Sequence, residues 1–438
     1  MNISVATLFP ELYRPFFSTS LLKRAQEQNK VSLHLTSLLE LCTPLERIDS
    51  PIAGHGSGML LKPEIIESVI SKHEAQHGKA LKIFFSPHGK VLDQDLVKEL
   101  AQKLQQQSHM MLLPARYEGM DARVEEEYAD YIISLGDFVL MGGDIPAMAL
   151  IEAVLRLIPG VVGKQESVTE DSFSHAFVDH PHYTAPDEWH GKKIPSILKS
   201  GNHQAVDAWR NEEAAKRTVL NHFDWLRSHN PTAEQKKLAY KNIPSHYAVL
   251  MHDQVLLQGG VEGTTSVTSI DIHDIARSAR TYGLKGYSIV TPLIDQQKIV
   301  KTLLDFWQQG VGITYNPSRH DALNNVSCLS SIDEVIAHIE AKEGKKPLLI
   351  ATSAKESDKT EAKRITYHDQ DLVWRHDRPV LFIFGTGHGL NPALIQQCDY
   401  LLLPLIGFTS FNHLSVRTAT GIIFDRWLGI NPKKLYTA

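Results

Sequence analysis

The sequence predicts an α/β fold of parallel sheets, built twice along one chain. Short apolar runs alternate with helical periods from residue 3 to about residue 160. The alternation breaks at Asn242-Ile-Pro244 and then restarts. The chain, at 438 residues, also exceeds what one ordinary core accommodates.

In the first half, Ile3 to Leu8, Ala80 to Phe85 and Met110 to Pro114 are continuous apolar runs of the kind buried in parallel sheets. Pro63 to His73 and Asp93 to Gln105 carry the helical period between them. Val161 to Asn202 is polar and rich in Pro, Gly and His, the composition of a long functional loop. One helical segment follows, Gln204 to Lys241. In the second half, Tyr247 to Leu250, Gly286 to Val290, Pro347 to Ala351, Val380 to Phe384 and Tyr400 to Leu405 read as strands. Ile272 to Tyr282 reads as a helix, and a last helix from Leu414 to Trp427 closes the chain. The expected domains are 1–165, a loop and helical domain at 166–243, and 244–438. The two α/β halves share an architecture without a sequence repeat.

With 42% hydrophobic and 22% charged residues, the chain has the composition of a soluble globular protein. No apolar run is long enough to span a bilayer, and the first residues lack the pattern of a cleaved leader. Cys42, Cys328 and Cys398 stand alone, so neither a disulfide framework nor a zinc site is expected, and no metal site is assigned. A reducing cytoplasm fits. The net charge of −5 does not mark a nucleic-acid binder, but its distribution is uneven. Residues 191–241 carry ten basic and five acidic side chains, a local +5 that leaves −10 on the rest. That segment reads equally as an RNA-facing surface or as a solvated helical face.

Glycine-rich turns follow three strands of the first half. They are Ser86-Pro-His-Gly89, Arg116-Tyr-Glu-Gly119 and Gly136-Asp-Phe-Val-Leu-Met-Gly-Gly-Asp-Ile-Pro146. Glycine lets backbone approach a ligand, and α/β sheets bind small molecules at strand C-termini. Neither G-x-G-x-x-G nor a P-loop is present, which points away from dinucleotides and nucleoside triphosphates. Around these turns Arg116-Tyr-Glu-Gly-Met-Asp121, Gly136 to Gly143 with Pro146-Ala-Met148, and Arg156-Leu-Ile-Pro-Gly160 occur in order. Glu170-Asp-Ser-Phe173, His182-Tyr-Thr184 and Ser200-Gly-Asn-His203 follow them. This series resembles the TrmD family of tRNA (guanine-N1)-methyltransferases over most of residues 1–240.

The resemblance implies a trefoil-knotted SPOUT fold, S-adenosylmethionine as methyl donor, a homodimer, and tRNA rather than DNA as partner. It implies methylation of the guanine immediately 3′ of the anticodon. By position, Ser86, Pro87, Ala115, Tyr117, Leu135, Gly136, Asp137, Phe138, Val139, Leu140, Gly142, Gly143 and Pro146 line the cofactor pocket. Asp171 is the implied general base, Arg156 its electrostatic partner, and Glu118 a further catalytic candidate. The chemistry agrees: guanine N1 is a poor nucleophile until its proton leaves, and negative charge then grows at O6, where an arginine can donate. Read alone, Asp171 is also a helix N-cap, Arg156 a surface residue, and Glu118 a loop brace. The sequence departs from the family at Ala53, His55 and Ala115. Alanine for glycine at 115 fails if that residue needs a positive φ.

In the second half, Gly385-Thr-Gly-His-Gly-Leu390 follows an apolar strand, and Leu403-Pro404 ends another. Asn412-His-Leu-Ser-Val-Arg-Thr-Ala419 opens the last helix, and Ile275-Ala-Arg-Ser-Ala-Arg-Thr-Tyr-Gly283 lies upstream. The set resembles the ribose-methylating branch of the SPOUT superfamily, although the middle motif lacks that branch's glutamate. It implies a second S-adenosylmethionine site at Gly385, Gly387, Gly389, Leu390, Leu403 and Pro404, with Arg277, Asn412 and Ser415 as further site residues. The alternative is a degenerate domain that binds RNA or holds a dimer without chemistry. For the whole chain the rivals are a non-catalytic RNA-binding protein and a small-molecule methyltransferase.

Overall fold

The computed structural model describes residues 1–43, 46–163, 171–355 and 362–433. Glu170 of the Glu170-Asp-Ser-Phe motif, and the expected boundary at 165/166, lie outside the described residues. The chain divides into two compact units, Met1–Ser174 and His175–Ala438.

The first unit contains β1 (Asn2–Thr7), β2 (Ser32–Ser37), β3 (Asp49–Pro51), β4 (Met59–Leu61), β5 (Leu81–Val91), β6 (His109–Leu113) and β7 (Tyr131–Ser134). Five of them form a parallel sheet in the order β2-β1-β6-β5-β7, and β3 and β4 make a separate antiparallel pair. Alternate residues of each inner strand face two different cores. Ile83, Phe85, Met110 and Leu112 meet Leu96, Leu100 and Leu104, which repeat every four residues along the helix Gln94–Gln107. Phe84, Met111 and Leu113 meet Ile65, Ile66, Val69 and Ile70 of the helix Pro63–His77. Burial on both faces is why these strands are apolar throughout, and each such leucine contributes about 1.5–3 kcal/mol over an exposed one. The helix Gln94–Gln107 starts where Asp93 accepts a hydrogen bond from the Leu96 amide at 2.8 Å. Strand β2 was not expected: Ser-Leu-His-Leu-Thr-Ser is half-buried at the sheet edge and too polar to read as a buried parallel strand.

The second unit contains β8 (Glu188–Trp189) and β9 (Lys192–Lys193), a short hairpin. After them come β10 (His246–Met251), β11 (Val255–Leu256), β12 (Glu262–Gly263), β13 (Gly286–Val290) and β14 (Val326–Leu329). Then follow β15 (Leu348–Thr352), β16 (Lys363–Ile365), β17 (Val380–Gly385) and β18 (Tyr400–Leu402). The main sheet is parallel, ordered β14-β13-β10-β17-β15-β18-β16. Without its edge strands β14 and β16, this order is second, first, fourth, third, fifth. The first unit has the same order. Two sequences without a visible repeat thus build one topology twice.

The helical segment expected as one piece is three helices, His203–Asn221, Phe223–Ser228 and Ala233–Asn242. His222 leaves helical geometry between the first two. Thr232 and Gln235 form a reciprocal capping box that starts the third, just after Pro231. Ala214, Ala215, Val219, Leu226 and Ala239 from these helices share one core with Leu250, Phe382, Phe384 and Trp427. Arg227 donates to the carbonyls of Asp425 (2.8 Å) and Arg426, capping the helix Val416–Leu428. One of the ten basic residues of the 191–241 segment is therefore a structural cap. Among the described residues, no helix is long and apolar enough to cross a membrane.

Candidate active sites

In the first unit, the C-terminal ends of β6, β5 and β7 lie side by side, and with them the three glycine-rich turns. Residues 86–89 bulge out of β5, because Phe85 and Lys90 both pair with Ile133. Gly89 permits this: a Cβ there would stand 2.6 Å from the Ile132 backbone. In that bulge the Ser86 hydroxyl and His88 Nδ1 are 2.7 Å apart, and Pro87 is exposed. After β6, Tyr117 holds a φ of +59° and is half-exposed. Ala115 is buried and is not among the residues with positive φ, so its methyl is accommodated. After β7, Leu135 and Gly136 are half-buried, whereas Asp137 to Leu140 are exposed. Pro146 is buried in the first turn of the helix Asp144–Arg156.

The glycines of the last turn face the chain itself. A Cβ on Gly142 would stand 2.5 Å from Arg116 Cδ, and one on Gly143 would stand 2.8 Å from Pro114 Cα. The Gly143 amide donates to the Ala115 carbonyl at 2.8 Å. The reason is a buried network that sequence reading missed. Asp144 is 1% exposed, and its Oδ1 accepts from the Thr7 hydroxyl at 2.6 Å and the Tyr13 phenol at 3.1 Å. Its Oδ2 accepts from Arg116 Nε at 2.7 Å. Burial and the adjacent carboxylate push the Tyr13 phenol far above its ordinary range, so it stays a donor. Asp144 thereby ties the end of β1, the turn after β6 and the start of the last helix into one point.

Glu118 braces a loop. Its Oε2 accepts from the Met59 amide at 2.7 Å, and a Cβ on Gly58 would fall 2.0 Å from its carboxyl carbon. Arg156, the last residue of its helix, meets Asp171 in a bidentate pair. Nε donates to Oδ2 at 2.7 Å and Nη2 to Oδ1 at 2.9 Å. Both side chains remain partly open to water. The two residues singled out for base chemistry are brought together.

In the second unit a cavity of about 580 Å³ opens where β10, β15, β17 and β18 end. Gly385, Gly387, Gly389, Leu403, Asn412 and Ser415 line it. Leu390 is buried in the core beneath, Pro404 adjoins the lining, and Arg277 is exposed on the helix Ser269–Thr281, outside the lining. Arg417, which sequence reading passed over, lines the cavity and donates to Asp271 at 3.2 Å. Asn412 Nδ2 donates to the Ala354 carbonyl at 2.8 Å, and Ser415 caps the helix Val416–Leu428. Gly387 (φ +60°) packs against the Leu256 carbonyl, with 2.7 Å left for a Cβ. A side chain there would break the loop before it reached a ligand. His252, Thr265 and Thr386 also line the cavity.

Asp179, His180 and His182 bring three potential metal ligands within 4.8 Å of one another. The carboxylate is 2.8 Å from one nitrogen of each imidazole, so hydrogen bonding within the trio accounts for the arrangement.

Residues 1–228 match the tRNA (guanine-1)-methyltransferase TrmD family, and residues 245–429 match a family of SAM-dependent RNA methyltransferases. A protein of Nitratidesulfovibrio vulgaris named tRNA (guanine-N(1)-)-methyltransferase is 37% identical over 98% of this chain and 99% of its own length. One of that name from Oleidesulfovibrio alaskensis is 36% identical over 98% and 99%. The relative of that name from Bacillus subtilis is 37% identical but spans 54% of this chain, with 97% of its own length. Two parallel sheets of one strand order, each with its turns or cavity at the strand ends, define with these matches a two-domain RNA methyltransferase that uses S-adenosylmethionine. The chain belongs to the tRNA (guanine-N1)-methyltransferase family and carries an S-adenosylmethionine-dependent RNA methyltransferase domain behind it.

The cavity of the second unit suits the cofactor. Its volume holds a nucleoside-sized ligand, and its walls combine Phe384, Leu403 and Leu405 with hydroxyl and imidazole groups.

Proposed function

We propose that the first half methylates N1 of the guanine immediately 3′ of the anticodon in tRNA, working as a cytoplasmic homodimer. Each half is read as a trefoil-knotted SPOUT domain, with residues 175–243 as the helical tRNA-binding part. The bidentate Arg156–Asp171 pair carries the reading. Asp171 accepts the N1 proton as the N1–methyl bond forms and the methyl–sulfur bond breaks. S-adenosylmethionine, when bound, supplies an electrophilic methyl group. Arg156 spends Nε and one Nη2 hydrogen on Asp171, which leaves Nη1 and the other Nη2 hydrogen for O6 as charge develops there. Glu118 enters as a positioning group through the Met59 amide. Exposed Phe138, Val139, Met141 and Ile145 give a second copy an apolar face to cover and support the homodimer. The test is transfer of labelled methyl to a tRNA with guanine after the anticodon, against the same tRNA carrying adenine there. Equal labelling of both would overturn the assignment.

The basic surface is read as the RNA-docking part. Lys192, Lys193, Lys216 and Arg217 are all exposed. Replacing the four by Ala is expected to weaken tRNA binding and flatten its salt dependence, by up to about 0.9 in slope per lost phosphate contact. Filter binding across a salt series checks this, and an unchanged slope returns the segment to a solvated face.

The second half is read as an RNA methyltransferase with its own cofactor site. Ala419 lines the cavity from the first turn of the helix Val416–Leu428, where a larger side chain keeps the helix and fills the space. Calorimetry on the full chain is expected to give two S-adenosylhomocysteine sites, and Ala419→Phe to give one. A wild-type stoichiometry of one leaves the second half as the degenerate module.

A further inference from the structure

His252 follows β10 directly and stands in the wall of the second unit's cavity. It is 1% exposed, and its Nε2 has no hydrogen-bond partner. Three other buried side-chain atoms share that condition among the described residues, His73 Nδ1, His273 Nδ1 and Tyr287 Oη, and none of them opens on this cavity. His246, at the other end of β10, shows the contrast. Its Nδ1 meets the Pro244 carbonyl at 2.7 Å, and its Nε2 accepts from the indoles of Trp374 and Trp427. A buried nitrogen left without a partner costs free energy unless a ligand satisfies it.

The hydrogen bonds around the ring fix which kind of partner it needs. Thr386 Oγ1 lies 2.8 Å from the Met251 carbonyl. A carbonyl has no proton to give, so the single hydroxyl proton of Thr386 lies in that contact. Thr386 Oγ1 is then an acceptor in its 2.5 Å contact with Thr265 Oγ1, and the Thr265 proton lies there. Thr265 has none left for the ring, so His252 Nδ1 must donate in their 3.0 Å contact. A neutral ring carries one N–H, and burial pushes this imidazole down to about 4, so it is neutral at physiological pH. The proton is on Nδ1, and Nε2 is a bare lone pair.

We propose that His252 Nε2 accepts a hydrogen bond from an N–H or O–H donor on the adenosine part of the cofactor in the second half. It is thus a specificity-determining residue of that site. The inference rests on the reading that the second half binds S-adenosylmethionine. Its donors there are the exocyclic amine of adenine and the two ribose hydroxyls.

Asparagine and glutamine separate the two ring nitrogens. Asn places its amide near Nδ1 and can still donate to Thr265, while Gln reaches the position of Nε2 with an acceptor oxygen. Calorimetry on the full chain with S-adenosylhomocysteine is therefore expected to show the second-half site weakened by about 10-fold or more in His252→Asn and nearly unchanged in His252→Gln. Analogues carrying inosine, 2′-deoxyadenosine or 3′-deoxyadenosine in place of adenosine identify the donor. The one that lacks it should bind the wild type more weakly, yet bind His252→Asn as well as the parent ligand does. Additive losses for all three analogues would overturn the proposal, as would wild-type affinity in a folded His252→Asn chain. If wild type has one site, and Ala419→Phe does not change that number, the underlying reading fails and the inference with it.

Discussion

Asp171→Asn is expected to leave S-adenosylmethionine binding near the wild-type level and to lower guanine methylation by ~10²-fold or more. The amide keeps the shape of the carboxylate and can still accept one hydrogen bond from Arg156. It cannot take a proton from guanine N1. The loss should fall on kcat, with the KM for tRNA little changed, because a base acts in the transition state and not in docking. Single-turnover methylation beside cofactor calorimetry separates the two. Arg156→Lys is the companion variant. Lysine keeps the charge but not the two-pronged contact of 2.7 and 2.9 Å, so it should recover only part of the activity. Near-normal turnover in Asp171→Asn removes Asp171 from the chemistry.

The turns around the sites were legible because each follows an apolar strand and breaks the pattern with glycines at fixed offsets. Parallel order places such turns together whatever their sequence separation. What the glycines do was less legible. Reading them as room for a ligand is sound in principle, but Gly142, Gly143, Gly385 and Gly387 are spent on contacts within the chain. A glycine required by backbone packing and one required by a ligand look alike in sequence, since both only forbid a Cβ.

The residues missed share another property. Asp144 reads as an acid at a helix start, a favourable placement that needs no further explanation. Its partners Thr7, Tyr13 and Arg116 lie 137, 131 and 28 residues away. His252 depends on Thr265 and, through it, on Thr386, 121 residues beyond. Neither set has a spacing that a local pattern registers, because only the sheet order brings its members together. Arg277 shows the converse: a motif named the helix correctly, but its arginine faces away from the cavity that Arg417 enters.

Asp144→Ala is expected to destabilise the first unit by about 3–5 kcal/mol, the range for removing one partner of a buried ion pair. Arg116 would keep its charge with 22% side-chain exposure and no carboxylate beside it, and the Thr7 and Tyr13 hydroxyls would lose their acceptor. Replacement by Asn should cost less at Oδ1, where an amide oxygen still accepts. It should cost nearly as much at Oδ2, where an amide nitrogen would face Arg116 Nε donor to donor. All six tryptophans, Trp189, Trp209, Trp225, Trp307, Trp374 and Trp427, belong to the second unit. Denaturant unfolding followed by tryptophan fluorescence therefore reports the second unit, while far-ultraviolet circular dichroism reports both. Asp144→Ala should bring forward part of the dichroism transition and leave the fluorescence midpoint in place. Coincident, unshifted transitions would mean that the network holds the turn without supporting the fold. In that case the damage should appear in cofactor affinity at the first site, since Asp144 fixes Arg116 between the two turns proposed to bind it.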